Sequence, residues 1–183
     1  MTYDDSLLEE EAISTKYRVL ILGAGNPLMK DDGIGPHIAR ELEKLKLPEG
    51  VKAVDAGVKG LALVDMMQEA SKVMFVDAVE MGMKAGSVRV FTPKDIRIDA
   101  EKTGFSSHEI GLPQLLFLAS LLGLSTEVAI VGIQPKDLGW GTGLSPELQR
   151  AVPHILESVL DALEGRGLWT CLCERGCSAL LSV

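Results

Sequence analysis

The residues of this sequence best suited to chemistry are three aspartates and one histidine. Asp32, Asp55 and Asp77 follow short apolar segments, and His108 lies in the polar stretch F-S-S-H-E. Two carboxylates and a neutral imidazole form an oxygen and nitrogen set that suits nickel, zinc, manganese or iron. A bound dication would also offset the repulsion between crowded acids. The residues alone leave two alternatives open, a shared metal site or three unrelated loop acids and a capping-region histidine.

The elements that precede the three acids predict where the acids meet. Segments 17–22, 51–54 and 72–76 are mostly apolar and do not alternate, and amphipathic helices follow the first two. This pattern is typical of parallel strands covered on both faces. Right-handed crossovers bring the carboxyl ends of such strands to one edge, where open α/β sheets bind ligands. We therefore expect the three acids to emerge at the same edge of the sheet.

The second half of the chain predicts an edge strand, two helices and one more buried strand. Segment 87–91 alternates like a half-exposed strand, and its short connection favours an antiparallel position. A nearly all-apolar helix is expected from Leu112, and a strand over 127–133. Ser145 and Pro146 mark the start of the final helix. No internal repeat or second domain is found.

Histidine positions follow from helix patterns. Ser106 and Glu109 fit a capping box, which places His108 at a helix entrance and not on a buried face. His37 and His154 lie on the polar faces of amphipathic helices. We therefore expect both of them to be solvated and only His108 to take part in a site.

Two other kinds of site are disfavoured by the same residues. A dinucleotide site would need a third glycine, but residue 28 is Leu, and Asp31 and Asp32 would repel a pyrophosphate. A serine nucleophile beside His108 is disfavoured because serines before a helix usually cap it. The sequence also lacks the G-x-S-x-G and H-E-x-x-H motifs.

Composition is that of a globular protein with an acidic surface. The 183 residues are 46% hydrophobic and 24% charged, with a formal net charge of −8. This balance disfavours nucleic acid and anionic membrane as partners. No apolar run is long enough to span a bilayer, and the acidic N-terminus lacks the basic region of a signal peptide. We expect a cytoplasmic protein.

All three cysteines lie in the C-terminal tail, at positions 171, 173 and 177. An odd number so closely spaced is a poor disulfide framework, and three thiolates would need a fourth ligand from elsewhere to hold a metal. Free thiols are the favoured interpretation for Cys171, Cys173 and Cys177. We divide the chain into an acidic extension (1–16), one α/β domain (17–165) and the cysteine-containing tail (166–183).

Four ordered motifs resemble one protein family, the hydrogenase maturation endopeptidases. Residues 23–35, G-A-G-N-P-L-M-K-D-D-G-I-G, are similar to the family signature G-x-G-N-x-L-x-x-D-D/E-x-x-G. F-V-D-A-V around Asp77, H-E-I-G-L at His108 and V-G-I-Q-P at 131–135 match further family segments. D-A-G at Asp55 resembles the D-G-G or D-x-G segment. The resemblance covers about residues 17–165 and excludes the extension and the tail.

The resemblance implies a fold and a set of site residues. The fold would be a three-layer αβα domain of the phosphorylase/hydrolase-like type, with a twisted five-stranded mixed sheet. Its strand order would be 2-1-3-5-4, with strand 4 antiparallel. Asp32, Asp77 and His108 would contact a metal, and Asp55 would be linked to activity without firm ligation. As a surface acid, Asp77 should be replaceable by Asn with little change in stability.

The resemblance also implies a reaction, the removal of a C-terminal peptide from the nickel-loaded precursor of a nickel–iron hydrogenase large subunit. Nickel would arrive with the substrate, and cleavage would proceed through a metal-polarised carbonyl or an aspartate-activated water. Segment 112–124 and the loop of Trp140 are candidate contacts to the precursor. A non-catalytic metal-binding or hydrogenase-binding chaperone and an unrelated metallohydrolase holding its own metal are the alternatives.

Overall fold

A computed structural model of the chain describes residues 15–58, 60–95 and 111–165 and the backbone of Thr170–Cys171. His108 and its capping box lie outside the described residues, as do Cys173, Cys177 and the first 14 residues. Strands and helices alternate through most of the described chain, as the apolar pattern predicts.

Six strands and four helices make up the described structure. The strands are β1 (Tyr17–Ala24), β2 (Val51–Gly57), β3 (Ala70–Ala78), β4 (Val88–Phe91), β5 (Glu127–Ile133) and β6 (Thr170–Cys171). The helices are α1 (Ile34–Glu43), α2 (Ala62–Gln68), α3 (Leu112–Leu121) and α4 (Pro146–Glu164), with short 3-10 turns at Lys30–Gly33 and Pro93–Asp95.

The sheet has the order β2-β1-β3-β5-β4, which confirms the predicted five-stranded mixed sheet. The first four strands of that order pair in parallel, and β4 pairs with β5 antiparallel. The two-residue β6 is an addition that the sequence did not predict. It pairs antiparallel with Glu127 and Val128, whereas β4 pairs with 130–133 farther along β5.

Each face of the sheet packs on its own pair of helices. Because side chains alternate along a strand, Leu20, Leu22 and Phe75 face α2 and α3, whereas Ile21 and Met74 face α1 and α4. All five are essentially inaccessible to solvent. Burial of both faces explains why the central residues of β1 and β3 are apolar and do not alternate with polar ones.

Helix boundaries agree with the predicted caps. The Ser145 hydroxyl accepts a hydrogen bond from the Leu148 N–H at 3.4 Å, and Pro146 is the first residue of α4. Helix α3 begins at Leu112, so Pro113 occupies its first turn, where an amide donor is not needed. Within the described residues, no helix is both long enough and apolar enough to span a bilayer.

Two strands run farther than the apolar segments indicate, and this changes where their acids lie. Asp55 pairs in register with Gly23 inside β2, and Asp77 pairs with Gly132 inside β3. We expected both acids in loops after the strands. They lie within the strands because backbone pairing continues past the last apolar residue. Strand alternation therefore decides which face each carboxylate occupies.

Candidate active site

Among the acids whose pKa is shifted by their surroundings, Asp77 has the largest shift. It follows Val73 and Phe75 at alternate positions of β3, so it belongs to the sheet face that α2 and α3 cover. The side chain is partly buried, and its Oδ1 accepts a hydrogen bond from the Ala78 N–H at 2.8 Å. Burial and the nearby charge of Asp32 raise its pKa to about 7, although the Ala78 bond opposes this.

Asp32 reaches the same place from the loop between β1 and α1. It lies in the 3-10 turn Lys30–Gly33, and its Oδ2 accepts a hydrogen bond from the Asn26 N–H at 2.7 Å. The loop approaches β1 closely at Gly25, where φ is +123°. A Cβ on Gly25 would lie 1.9 Å from the Asp32 carbonyl oxygen and 3.6 Å from Asp77 Oδ1. Only glycine fits at position 25, because a Cβ would collide with the backbone carbonyl of Asp32.

Both carboxylates line a cleft of about 550 Å³ at the carboxyl edge of the sheet. Among the described residues, they are the only charged side chains that line it. The remaining walls are mostly apolar side chains and loop backbone from β1, α2, α3 and the loops at this edge, including Met29, Leu61, Phe75, Leu112 and Leu138. The predicted convergence of Asp32 and Asp77 at one cleft is therefore present.

Asp31 has a role that sequence reasoning missed. Its carboxylate is completely buried. Oδ2 accepts hydrogen bonds from the N–H groups of Lys136 and Asp137, both at 2.9 Å, and Oδ1 accepts one from Ser145 at 2.6 Å. These bonds tie the turn that carries Asp32 to the loop after β5 and to the start of α4. The sequence did contain a sign of this role, the adjacent pair Asp31 and Asp32. Neighbouring side chains in a turn point in different directions, so the two acids have different surroundings.

Lys30, the residue before Asp31, adopts a left-handed conformation with φ of +44°. This conformation is uncommon for a residue other than glycine and costs about 1 kcal/mol or more. Three contacts offset the cost. The Lys30 N–H donates to the Gly141 carbonyl at 2.9 Å, the Lys30 ammonium pairs with Asp137, and Asp31 is anchored as described. The acidic loop is therefore held in one conformation by the loop that follows β5.

Asp55 lies at the same edge but belongs to the other face of the sheet. It continues the alternation of Val51 and Ala53, which pack toward α1 and α4. Its Oδ2 pairs with Arg40 Nη1 of α1 at 3.0 Å, and Asp55 does not line the cleft. The structure therefore brings Asp32 and Asp77 together and places Asp55 across the sheet from them.

The described histidines do not reach the cleft. His154 is exposed, as predicted. His37 is partly buried rather than solvated, because it lines a separate pocket of about 250 Å³ with Lys30 and Arg40. That burial lowers its pKa. Among residues 15–58, 60–95 and 111–165, no three acids, histidines or cysteines cluster as a metal site.

The chemistry open to the cleft follows from its two acids. A carboxylate whose pKa is about 7 can accept or release a proton near neutral pH. Two close carboxylates also attract a divalent cation, which would lower the cost of keeping both ionised. The fold and the acid pair thus define the class, a three-layer α/β protein with a ligand site at the carboxyl edge of its sheet.

Comparison with known proteins identifies the family. The model of the family described as hydrogenase maturation protease matches residues 36–162. HoxM, a hydrogenase expression/formation protein of Azotobacter vinelandii, is 30% identical over 157 residues, covering 84% of this chain and 76% of that protein. The chain therefore belongs to the hydrogenase maturation protease family.

Solved structures agree with this assignment. The hydrogenase maturating endopeptidase HybD from E. coli is 28% identical with a TM-score of 0.68, covering 84% of this chain and 96% of HybD. The hydrogenase 2 maturation peptidase from a Thaumarchaeota archaeon is 34% identical with a TM-score of 0.60, covering 80% and 98%. The fold and the enzyme class, a hydrolase of the endopeptidase type, are thus those of the family.

Proposed function

We propose that this protein is the endopeptidase that removes a C-terminal peptide from the nickel-loaded precursor of a hydrogenase large subunit in the cytoplasm. The observation that carries the proposal is the pair of carboxylates, Asp32 and Asp77, which line one cleft of about 550 Å³. Family membership supplies the reaction class. The cleft lies at the edge where its fold presents ligand sites.

Nickel enters this proposal as part of the substrate. Asp32 and Asp77 would contact the ion carried by the precursor, and His108, which lies outside the described residues, would complete the contact. Carboxylate oxygen and imidazole nitrogen suit a divalent metal of this kind. Binding of the ion would hold the precursor only when nickel is present, so metal loading would license cleavage.

Asp77 is the better candidate for moving a proton. Its pKa of about 7 leaves a substantial fraction ionised at neutral pH, so it can take a proton from an attacking water. The alternative is that the substrate's nickel polarises the scissile carbonyl while Asp77 only binds the ion. Asp55 belongs to the proposed set through its motif alone, since its carboxylate pairs with Arg40 of α1 and does not line the cleft.

The test is cleavage of a purified precursor in nickel-loaded and nickel-free forms, followed by intact-mass measurement. We expect loss of the C-terminal peptide only from the loaded form. Asp77→Asn should reduce the rate at least about 100-fold, the size of effect typical for general acid or base groups. His154→Ala, which alters an exposed histidine on α4, should leave the rate unchanged.

Two outcomes would contradict the proposal. If the nickel-loaded precursor binds tightly but its mass does not change, the protein would be a maturation chaperone, which uses the same cleft acids to bind and does not cleave. Equal cleavage of the nickel-free form would remove the licensing role of nickel. Family membership already argues against an unrelated metallohydrolase.

A further inference from the structure

Gln134, which follows β5 directly, is a buried polar residue outside the cleft. Among the described residues, three polar or charged residues are buried: Asp31, Thr126 and Gln134. Asp31 anchors the acidic turn, and Thr126 donates to a backbone carbonyl of α2 just before β5 begins. Gln134 lies at the opposite end of β5 and is 3% exposed. A buried amide needs hydrogen-bond partners, so its partners show which part of the chain it holds.

The side chain of Gln134 holds the first part of the loop that connects β3 to β4. Its Oε1 accepts hydrogen bonds from the Met81 N–H at 2.7 Å and the Met83 N–H at 3.1 Å. Its Nε2 donates to Glu80 Oε1 at 2.7 Å and to the Pro135 carbonyl at 3.1 Å. Both lone pairs and both N–H groups of the amide are therefore used.

The backbone of Gln134 holds the last part of the same loop. Its N–H donates to the Ser87 carbonyl, and its carbonyl accepts from the Gly86 N–H, both at 2.9 Å. Gly86 packs against α4, since a Cβ there would lie 2.6 Å from an alanine Cβ of that helix. Loop 79–87 is therefore held on the α4 side of the sheet. None of its residues, all of which the structure describes, lines the cleft, although the loop begins shortly after Asp77.

Two hydrogen bonds connect Asp77 to this loop. The Ala78 N–H donates to Asp77 Oδ1 at 2.8 Å, which sets the direction of the carboxylate. The Val79 N–H donates to the carbonyl of Ile133, the residue before Gln134, at 2.9 Å. The chain leaves β3 directly after these bonds, and the Gln134 amide binds it where it turns away from the cleft.

The segment after β5, residues 134–137, thus holds the chain beside both cleft acids. Its backbone N–H groups donate to Asp31, which precedes Asp32 in the same turn. The Gln134 side chain holds the chain that follows Asp77. The relative position of the two carboxylates therefore depends on one short segment. A misplacement of about 1 Å in an active site can lower a rate about 100-fold.

We propose that Gln134 is a positioning residue for the cleavage reaction, because it fixes the chain after Asp77 and so keeps that carboxylate beside Asp32. This inference rests on the proposed function and adds to it a residue that does not line the cleft. An amide suits the task, since it donates and accepts at once and brings no further charge to the two acids. Because Gln134 does not line the cleft, its replacement should change kcat and leave KM nearly unchanged.

Gln134→Met tests this role by removing every side-chain hydrogen bond while keeping an unbranched chain of similar length. We expect kcat for nickel-loaded precursor to fall at least about ten-fold, with KM within about two-fold of the parent value. Gln68→Met is the matched control, since Gln68 is exposed at the end of α2. It should leave both constants within about two-fold.

An exchange of donor and acceptor tests the same hydrogen bond without emptying the site. Gln134→Glu keeps the acceptor for Met81 and Met83 but places an oxygen against Glu80, so kcat should fall about ten-fold. Adding Glu80→Gln supplies an NH₂ group to that oxygen. The double variant should recover to within about three-fold of the parent, because only the bond to the Pro135 carbonyl stays broken. Glu80→Gln alone keeps an acceptor oxygen and should behave like the parent.

Amide hydrogen exchange separates positioning from order confined to the loop, and it needs no substrate. Met81 and Met83 lose their acceptor in Gln134→Met, so both should exchange faster whether or not Asp77 is affected. Positioning of Asp77 requires that Ala78 and Val79 also exchange faster, by at least about five-fold. Faster exchange at Met81 and Met83 alone would show that Gln134 orders only its own loop and would overturn the inference.

The endopeptidase and the role of Gln134 fail in different ways. Cleavage by the parent, with a parent-like kcat in Gln134→Met or no recovery in the double variant, would overturn the role of Gln134 and leave the endopeptidase standing. Absence of cleavage by the parent would reject the endopeptidase, and exchange at Ala78 and Val79 would still decide whether Gln134 positions Asp77. If Gln134→Met does not fold, Gln134→Glu with and without Glu80→Gln gives the same decision from kcat and from exchange.

Discussion

At the scale of single residues, the pKa of Asp77 connects the geometry of the cleft to its chemistry. Burial, with the charge of Asp32 added, raises that pKa to about 7. We had expected a surface acid whose replacement leaves stability unchanged. That premise is wrong, because the side chain is partly buried on the face that α2 and α3 cover. Ionising Asp77 therefore costs folding free energy, and the cost depends on pH.

Asp77→Asn should stabilise the metal-free protein above neutral pH. The unfolded chain releases this proton near the ordinary pKa of 3.8, whereas the folded chain keeps it until about pH 7. Parent stability is thus lost as pH rises between these values, and the loss is complete above pH 7. The variant lacks this loss, so its advantage should grow by about 2–4 kcal/mol between pH 4 and pH 8. Urea unfolding in the presence of a chelator measures the free energy of unfolding of both proteins at each pH.

A difference between variant and parent that stays constant from pH 4 to pH 8 would show that Asp77 titrates normally. Asp32→Asn provides the control for the neighbouring charge. Removing that charge should lower the pKa of Asp77 and shift the window of stability loss to lower pH, while the contribution of burial remains.

At the scale of elements, Asp31 joins the loop before α1 to the loop after β5. Asp31→Asn keeps the shape but replaces one acceptor oxygen by an NH₂ group. That group would face a backbone N–H of Lys136, Asp137 or Ser145, which now donates to a carboxylate oxygen. A buried donor left without an acceptor costs about 1–3 kcal/mol. We expect a loss of stability of that size and faster amide exchange at these three positions.

Asp161→Asn is the matched control for Asp31→Asn. Asp161 is exposed on α4, so its replacement should change the free energy of unfolding by less than about 0.5 kcal/mol. Unchanged exchange at Lys136, Asp137 and Ser145 in Asp31→Asn would mean that the carboxylate does not hold the two loops together. Cleavage by Asp31→Asn should also slow, since Asp32 is the next residue in the same turn.

At the scale of the whole molecule, the tail assigned to residues 166–183 contributes a strand to the sheet. The backbone of Thr170–Cys171 pairs with the amino-terminal part of β5, at Val128 and Glu127. Asp77 pairs with Gly132, near the other end of β5. At about 3.3 Å per residue, Glu127 and Gly132 are roughly 16 Å apart along the strand. Cys171 is therefore paired far from the cleft edge.

Replacing Cys171, Cys173 and Cys177 together by serine should leave the rate of precursor processing close to that of the parent. The serine chain keeps the backbone that pairs in β6, so the sheet is preserved. Soft thiolates would also compete with the carboxylates for nickel, which would oppose the proposed reaction. Cleavage followed by mass spectrometry and circular dichroism measures rate and folding. A large fall in rate with folding intact would show that the thiols take part in the site.

The sequence by itself determined the architecture. Apolar strands, amphipathic helices and capping residues are local signals, because each depends on neighbours along the chain. They were sufficient, with the family motifs, for the strand order, the antiparallel β4 and the starts of α3 and α4. They also selected the edge at which Asp32 and Asp77 meet, since parallel strands present their carboxyl ends together.

Only the tertiary structure decided which acids share the cleft. Asp55 and Asp77 look alike in sequence, but strand pairing continues through both and alternation places them on opposite faces of the sheet. Asp31 and Asp32 are neighbours, yet one is anchored to a loop more than 100 residues away and the other lines the cleft. Contacts between distant segments set burial, and burial sets the pKa of Asp77. No local pattern encodes such contacts, because their partners are brought together only when the sheet has formed.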